Sequence, residues 1–254
     1  MAQQKGIIPL RGTIGNITFY KSGDGYLARE RGGIDANRIA TDPAFQRTRE
    51  NGAEFGRAGK AGKVLRNALR SLLQNTADGK MIGRLTREMM KVIQEDAVNV
   101  RGMRNVIDGE AELLQGFEFN VNAKLGATLY APFTSTINRV AGTLNISLVP
   151  FIPQNMVAAP SGATHFKIIS AGASINFQTE TYVISSSASD VLPWSNATTD
   201  AINLENTVTA NSPDPLFLAL GIEFYQEVNN HMYPLKNGAF NALSLVKVDG
   251  GAVN

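Results

Sequence analysis

The 254-residue chain has no cysteine, one tryptophan and two histidines. The lack of cysteine excludes disulfides, thiolate zinc sites, iron–sulfur clusters and cysteine nucleophiles. His165 and His231 lie far apart in the chain, which leaves little for an imidazole metal site or a proton relay. Charge is sparse, at 18% of residues, and no long hydrophobic run occurs. The longest uncharged stretch, Val140 to His165, is broken by Pro150, Pro153 and Pro160 and rules out a spanning helix. Near the start, Gly6-Ile7-Ile8-Pro9-Leu10-Arg11 is too short and broken for a secretory signal core. The expectation is a soluble chain made in the cytoplasm, without a membrane partner. Placement outside the cell or in a particle then requires lysis or a dedicated machine.

Hydrophobic residues make up 43% of the sequence, ample for a core at this length. The 24 Lys and Arg nearly balance 22 Asp and Glu, but their distribution is uneven. Residues 1–110 carry 19 basic against 12 acidic side chains, a net +7, and residues 111–254 carry 5 against 10, a net −5. Such asymmetry can steer one copy's basic part toward another's acidic part, or simply reflect basic helices and neutral strands.

Three segments follow, and together they predict an α+β protein. Residues 1–41 read as an extended N-terminal arm with a β-hairpin: Ile17-Thr18-Phe19-Tyr20, a turn at Ser22-Gly23-Asp24-Gly25, and a return through Tyr26-Leu27-Ala28-Arg29. Gly32-Gly33 break the strand, and the polar stretch to Asn37 suits a hinge. Residues 42–110 read as a helical hairpin. Asp42 is a candidate N-cap with Pro43 behind it. Ala61, Val64, Leu65, Ala68, Leu69, Leu72 and Leu73 form one stripe, and Ile82, Leu85, Met89, Val92, Ile93 and Ala97 a second. Residues 111–254 read as an antiparallel β-sandwich. Its strands are expected around Phe117–Leu125, Leu144–Leu148, His165–Ile169, Ile175–Phe177, Thr181–Ile184, Leu216–Tyr225 and Leu243–Val248.

Gly52, Gly56, Gly59 and Gly62 crowd the early turns of the first helix, each costing about 0.5–1 kcal/mol relative to Ala. Either another backbone approaches this small-residue face, or the segment becomes helical only near Ala61. The basic residues Arg47, Arg49, Arg57, Lys60, Lys63, Arg66 and Arg70 give the same helix a face able to meet phosphates. Few aromatics interleave with them, so base stacking is unsupported.

The motifs of enzyme chemistry fail one by one. Gly56 to Lys63 imitates a phosphate loop, but Arg57 stands where the first glycine belongs, Val64 follows Lys63, and no apolar strand precedes it. No Gly-x-Ser-x-Gly elbow occurs, and acids such as Asp214 and Glu223 have no hydrolase spacing. No carboxylates cluster near the histidines in sequence, so no catalytic residue, metal ligand or cofactor is assigned. Asn16-Ile17-Thr18, Asn145-Ile146-Ser147 and Asn196-Ala197-Thr198 fit the glycosylation pattern without a signal peptide to support it.

The N-terminal motifs Lys5-Gly6-Ile7, Gly12-Thr13-Ile14-Gly15-Asn16-Ile17-Thr18-Phe19-Tyr20-Lys21 and Asp24-Gly25-Tyr26-Leu27-Ala28-Arg29 form one part of a pattern. Ala40-Thr41-Asp42-Pro43-Ala44-Phe45 and Arg49-Glu50-Asn51-Gly52-Ala53-Glu54-Phe55 form the other. Across residues 5–70 the chain resembles a group of uncharacterised proteins from Bacteroidota bacteria. The resemblance implies a bacterial or phage-associated origin and carries no activity.

The function these features favour is a self-assembling structural subunit of a filament, tube or virion-like particle, a homo-oligomer or polymer built by head-to-tail contact. Ile14, Ile17, Phe19, Tyr20, Tyr26 and Leu27 are the expected assembly arm, adding strands to a neighbour's sheet edge. The alternative is a cytoplasmic accessory protein that binds nucleic acid through the basic helices 45–91. A carbohydrate-binding sandwich with Trp194 as a platform is a third class, although a lone Trp more often packs.

Overall fold

A computed structural model of the chain describes residues 2–6, 8–30, 33–76 and 78–251. Gly32 of the expected strand break, and Ile7 of the N-terminal motif, lie outside the described residues. The fold is α+β with a sandwich-like β core, and the chain divides into two compact units, residues 1–49 and 50–254.

The first unit contains more sheet than a single hairpin. Strands β1 (Ala2–Gln3), β2 (Gly12–Ile14), β3 (Ile17–Ser22) and β4 (Gly25–Glu30) form an antiparallel sheet in the order β1-β4-β3-β2. The expected β3–β4 hairpin pairs Ser22 with Gly25 across Gly23-Asp24. A second tight hairpin pairs Ile14 with Ile17. Gly15, at φ 57°, takes its first central position, where left-handed backbone is required. The polar stretch read as a hinge instead runs into helix α1 (Ala36–Thr41), capped by Asp35, whose carboxylate accepts from the Asn37 N–H at 2.6 Å. Asp42 does cap, accepting from Ala44 N–H at 2.9 Å with Pro43 in the turn.

Helical backbone resumes at once in α2 (Gln46–Ala68), so the early glycines lie in regular helix. After a break at Leu69 come α3 (Arg70–Leu73) and, beyond a turn, α4 (Met81–Gln94). The first apolar stripe is buried as expected. In the second, Met81 rather than Ile82 faces inward, and Ala97 lies beyond the helix. The Asp96 carboxylate explains the end: it accepts from the N–H groups of Val98, Asn99 and Asn105, drawing the backbone out of the helical path.

The strands of the second unit make two antiparallel sheets. The smaller has the order β10-β6-β5, from β5 (Phe133–Asn138), β6 (Thr143–Leu148) and β10 (Ile202–Thr207). The larger is centred on β7 (His165–Asn176) and β11 (Leu216–Val228). β8 (Thr181–Ala188) and β9 (Leu192–Pro193) share the outer flank of β7. β12 (His231–Pro234) and β13 (Ala242–Asp249) share that of β11.

Alternation along these strands makes two cores. Ile169, Ala171, Ala173, Ile175, Phe217, Ala219, Leu243 and Leu245 pack with the helical stripes. Phe166, Ile168, Leu216, Leu218, Leu220, Ile222 and Phe224 pack on the smaller sheet through Leu144, Ile146, Leu148, Ile202 and Leu204. The large sheet is thus covered on both faces, by helices and by strands.

Several strand expectations need correction. Phe117–Leu125 is not a strand: Phe117 and Phe119 bond to Leu245 and Leu243 of β13, but Leu125 opens a helical turn, Leu125–Thr128. Between them the Asp78 carboxylate takes the Val121 N–H, and Asn120 takes the Asn122 N–H and donates to the Asn241 carbonyl, bending the chain. His165–Ile169 and Ile175–Phe177 are parts of one continuous strand. The small residues between them fit a close approach, since a Cβ on Gly172 would lie 2.9 Å from the Asn206 Cβ and 3.2 Å from that of Leu144. His231 opens β12, because Asn229 and Asn230, at φ 52° and 61°, form a two-residue hairpin turn. Strands β5 and β10 are additional.

Residues 95–110 are pinned to α2. Glu54, 1% exposed, accepts two bonds from Arg104, at 2.8 and 2.9 Å, and one from the Gly102 N–H at 2.8 Å. The Arg104 guanidinium holds Glu54 below the usual carboxylate range, although burial pushes the other way. A depressed folded value means that this stabilisation is complete above about pH 4.5, the ordinary value, and is lost as pH falls through the lowered one. Denaturant titrations should therefore show stability falling on acidification below that point. Glu54→Gln should flatten this fall and cost about 2–4 kcal/mol at neutral pH, by stranding the Arg104 charge.

Candidate assembly surface

In an antiparallel sheet directly paired residues share a face. The pairs Ile14–Ile17, Ile17–Glu30, Phe19–Ala28, Lys21–Tyr26 and Ala2–Ala28 place Ala2, Ile14, Ile17, Phe19, Tyr26 and Ala28 on one side of the first unit's sheet, with Lys21 and Glu30 at its margin. The pair Tyr20–Leu27 belongs to the opposite side, with Thr13, Thr18 and Arg29. Of the six arm residues expected from sequence, four therefore converge and two face away. Ala2 and Ala28 join the four. The Gly15-Asn16 turn, which folds Ile14 back beside Ile17, is the sequence signal that could have revealed the face.

This face is open. Ile14 is 64% and Ile17 46% exposed, and among the described residues of the first unit only Leu27 is buried. Ala2, Ile14, Asn16, Ile17 and Ala28 line a shallow depression of about 480 Å³ with Arg29 and Glu30. Cations stand at one end: Arg11 and Lys21 lie 5.8 and 5.6 Å from the Tyr26 ring centre. On the other face Arg29 lies 5.5 Å from Tyr20. Covering the exposed parts of Ile14 and Ile17 is worth roughly 1–2 kcal/mol each. The edge strands β1 and β2 are two and three residues long, which limits strand addition through them.

The glycine-rich segment presents a smooth strip. Gly52 and Gly56 are exposed and Gly59 half-buried, and a Cβ on any of them would meet nothing within 4 Å. Gly62 is apart from them, buried and facing Leu85, whose Cγ would lie 3.5 Å from an added Cβ.

The basic residues are partly engaged. Arg49 donates to the carbonyls of Ile39 and Asp42, and Arg57 to those of Gly102 and Arg104. Lys60 lies 3.3 Å from Glu180, and Arg66 donates to the Gly62 carbonyl. Arg47, Lys63 and Arg70 are exposed.

The remaining singled-out residues have local roles. His165 Nδ1 lies 2.9 Å from the Thr164 hydroxyl and Nε2 3.8 Å from Glu227. The Trp194 indole donates to the Val157 carbonyl at 3.1 Å while its ring packs on the second core, so it is no open sugar platform. Among the described residues no group of three or more His, Asp or Glu could hold a metal ion, and no helix is long and apolar enough to cross a membrane.

The strip yields a direct test. With space for a methyl group and ordinary helical backbone, Gly52→Ala, Gly56→Ala and Gly59→Ala should each stabilise the isolated subunit, by about 0.5–1 kcal/mol in denaturant titrations. Loss of stability would mean that something already packs against the strip.

Comparison with family models, with curated proteins and with solved structures finds no match to this chain.

Proposed function

We propose that the chain is a self-assembling structural subunit, joined to its neighbours through the apolar face of the N-terminal sheet, in a filament, tube or virion-like particle. The observation that carries this reading is the open face itself, with Ile14 and Ile17 exposed in a unit that buries only Leu27 among its described residues. A thin sheet with one apolar face needs a covering layer to be stable. A second copy is the favoured occupant on charge. Residues 1–49 carry 8 basic against 4 acidic side chains, and residues 50–254 carry 16 against 18, so the first unit of one copy is drawn to the second unit of another. Donor and acceptor then differ, which makes the contact head-to-tail and lets it close a ring or extend a helix. The resemblance to Bacteroidota proteins adds a bacterial or phage-associated setting.

This revises how the arm works. Its strands already pair with one another, so the joint is face-to-face packing rather than donation of a free strand. Nucleic-acid binding draws on exposed Arg47, Lys63 and Arg70, but Arg49 and Arg57 are committed to backbone carbonyls.

Negative-stain microscopy and light scattering test the proposal. Wild-type protein should form regular assemblies, and the double variant Ile14→Asp, Ile17→Lys should stay monomeric with an unchanged circular dichroism spectrum. Monomeric wild type across a wide concentration range, or assembly indifferent to the substitutions, would overturn it. A gel shift with DNA and RNA, weakening steeply with salt, would favour the nucleic-acid reading instead.

A further inference from the structure

The larger sheet's helix-facing side changes character along its length. Paired rows run Phe217–Ala173, Ala219–Ala171, Gly221–Ile169, then Glu223–Lys167. The last row is charged because the helical layer ends there: α3 stops at Leu73 and the chain turns away through Asn75. A cavity of about 360 Å³ opens between Ser71, Leu72 and Asn75 on the helical side and Lys167, Ile169, Ser186, Glu223 and Tyr225 on the strands.

Its two charges do not pair with each other. Glu223 is 8% exposed, and its carboxylate accepts from the Tyr225 hydroxyl at 2.7 Å and from the Asn75 amide at 3.4 Å, both neutral donors. Burial first, then the bond to Glu223, pushes the Tyr225 hydroxyl well above the ordinary phenol range, so it remains a donor. Lys167 stands directly across the strand pair from Glu223. Among the described residues no cation lies within 4.0 Å of Glu223, and no carboxylate within that distance of Lys167. A buried carboxylate with only neutral partners is costly unless a cation reaches it. The same cavity offers an ammonium to an anion, beside the Ser71 and Ser186 hydroxyls.

We propose that this cavity binds a free α-amino acid, its ammonium on the Glu223 carboxylate and its carboxylate on Lys167 and the serine hydroxyls. A simple amine satisfies Glu223 and leaves Lys167 without a partner, and a simple acid does the reverse. An α-amino acid carries both charges on one carbon, a spacing that suits two side chains from adjacent strands. Leu72 and Ile169 form an apolar wall for its side chain. The site lies wholly in the second unit and stands whether or not the first unit mediates assembly.

Calorimetry and thermal shift against the free proteinogenic L-amino acids test it, with N-acetyl and methyl-ester forms of each binder as controls. At least one amino acid should bind and raise the melting temperature. Acetylation or esterification of that compound should each weaken binding by about tenfold or more, as should Glu223→Gln and Lys167→Met. Lys167→Met is the safer variant, since its side chain is only half-buried, and a circular dichroism spectrum confirms that each variant is folded. No binding by any member of the panel would overturn the proposal. So would binding that survives blocking of either charge or the Lys167 substitution.

Discussion

Strands β7 and β11 pair over ten positions and are covered on both faces, and the rest of the second unit depends on that constraint. A strand buried on one side alternates apolar and polar residues, but one buried on both must be apolar or small throughout. Leu216-Phe217-Leu218-Ala219-Leu220-Gly221-Ile222 meets the requirement with large residues toward the smaller sheet and mostly small ones toward the helices. In β7, Ala171 and Ala173 keep the helical side narrow, while Gly172 lets the smaller sheet come close. These narrow rows let the helical stripe of Leu65, Leu69, Leu85 and Met89 settle closely on the sheet.

Several polar groups inside this sandwich are bonded across its elements. At the seam between the sheets, Asn206 donates to the Ser170 hydroxyl at 2.6 Å and accepts from Ser187 at 3.2 Å, joining β10 to β7 and β8. At one end of the large sheet, Arg139 binds Asp249 and the carbonyls of Ser212 and Asp214, holding the close of β13 to the preceding loops. Such networks are stable only when complete, because an orphaned buried group costs more than its bond returns. The Glu223–Lys167 row differs, since its two charged groups line a cavity and form no ion pair with each other among the described residues.

What was legible in the sequence follows from how many layers touch each element. The helical stripes and the long apolar strands were readable because one dominant burial pattern runs along each. Strand β10 alternates cleanly from Ile202 to Thr207, but its six residues sit amid Asn, Thr and Asp that read as loop. Phe117 and Phe119 looked like a strand because they alternate, yet their neighbours bend away under side-chain bonds from Asp78 and Asn120, partners that spacing cannot announce. The same holds for Asp96, which ends α4 by capturing amides up to nine residues downstream. In the arm, composition announced apolar residues but not their faces. Only the two-residue turns fix register, and register separates Tyr20 and Leu27 from Ile14, Ile17, Phe19 and Tyr26. The Glu223 cavity was invisible for a related reason: its groups come from positions 71, 75, 167, 186, 223 and 225, brought together by pairing rather than by any local motif.

The two units therefore solve the burial problem differently. In the second, the central strands of the large sheet bury both faces against layers of the same chain. In the first, four short strands produce an apolar face with nearly nothing buried behind it. A sheet of this size cannot turn the face inward, because its strands are too few to wrap around themselves. Cations stand beside Tyr26, while Ile14 and Ile17 are bare. Rigidity of register makes that bare patch a defined shape, and a defined apolar shape with a charged margin is what specific recognition requires. The proposed joint thus rests on residues whose contribution to their own unit's burial is small, which is why charge placed there should separate loss of assembly from loss of folding.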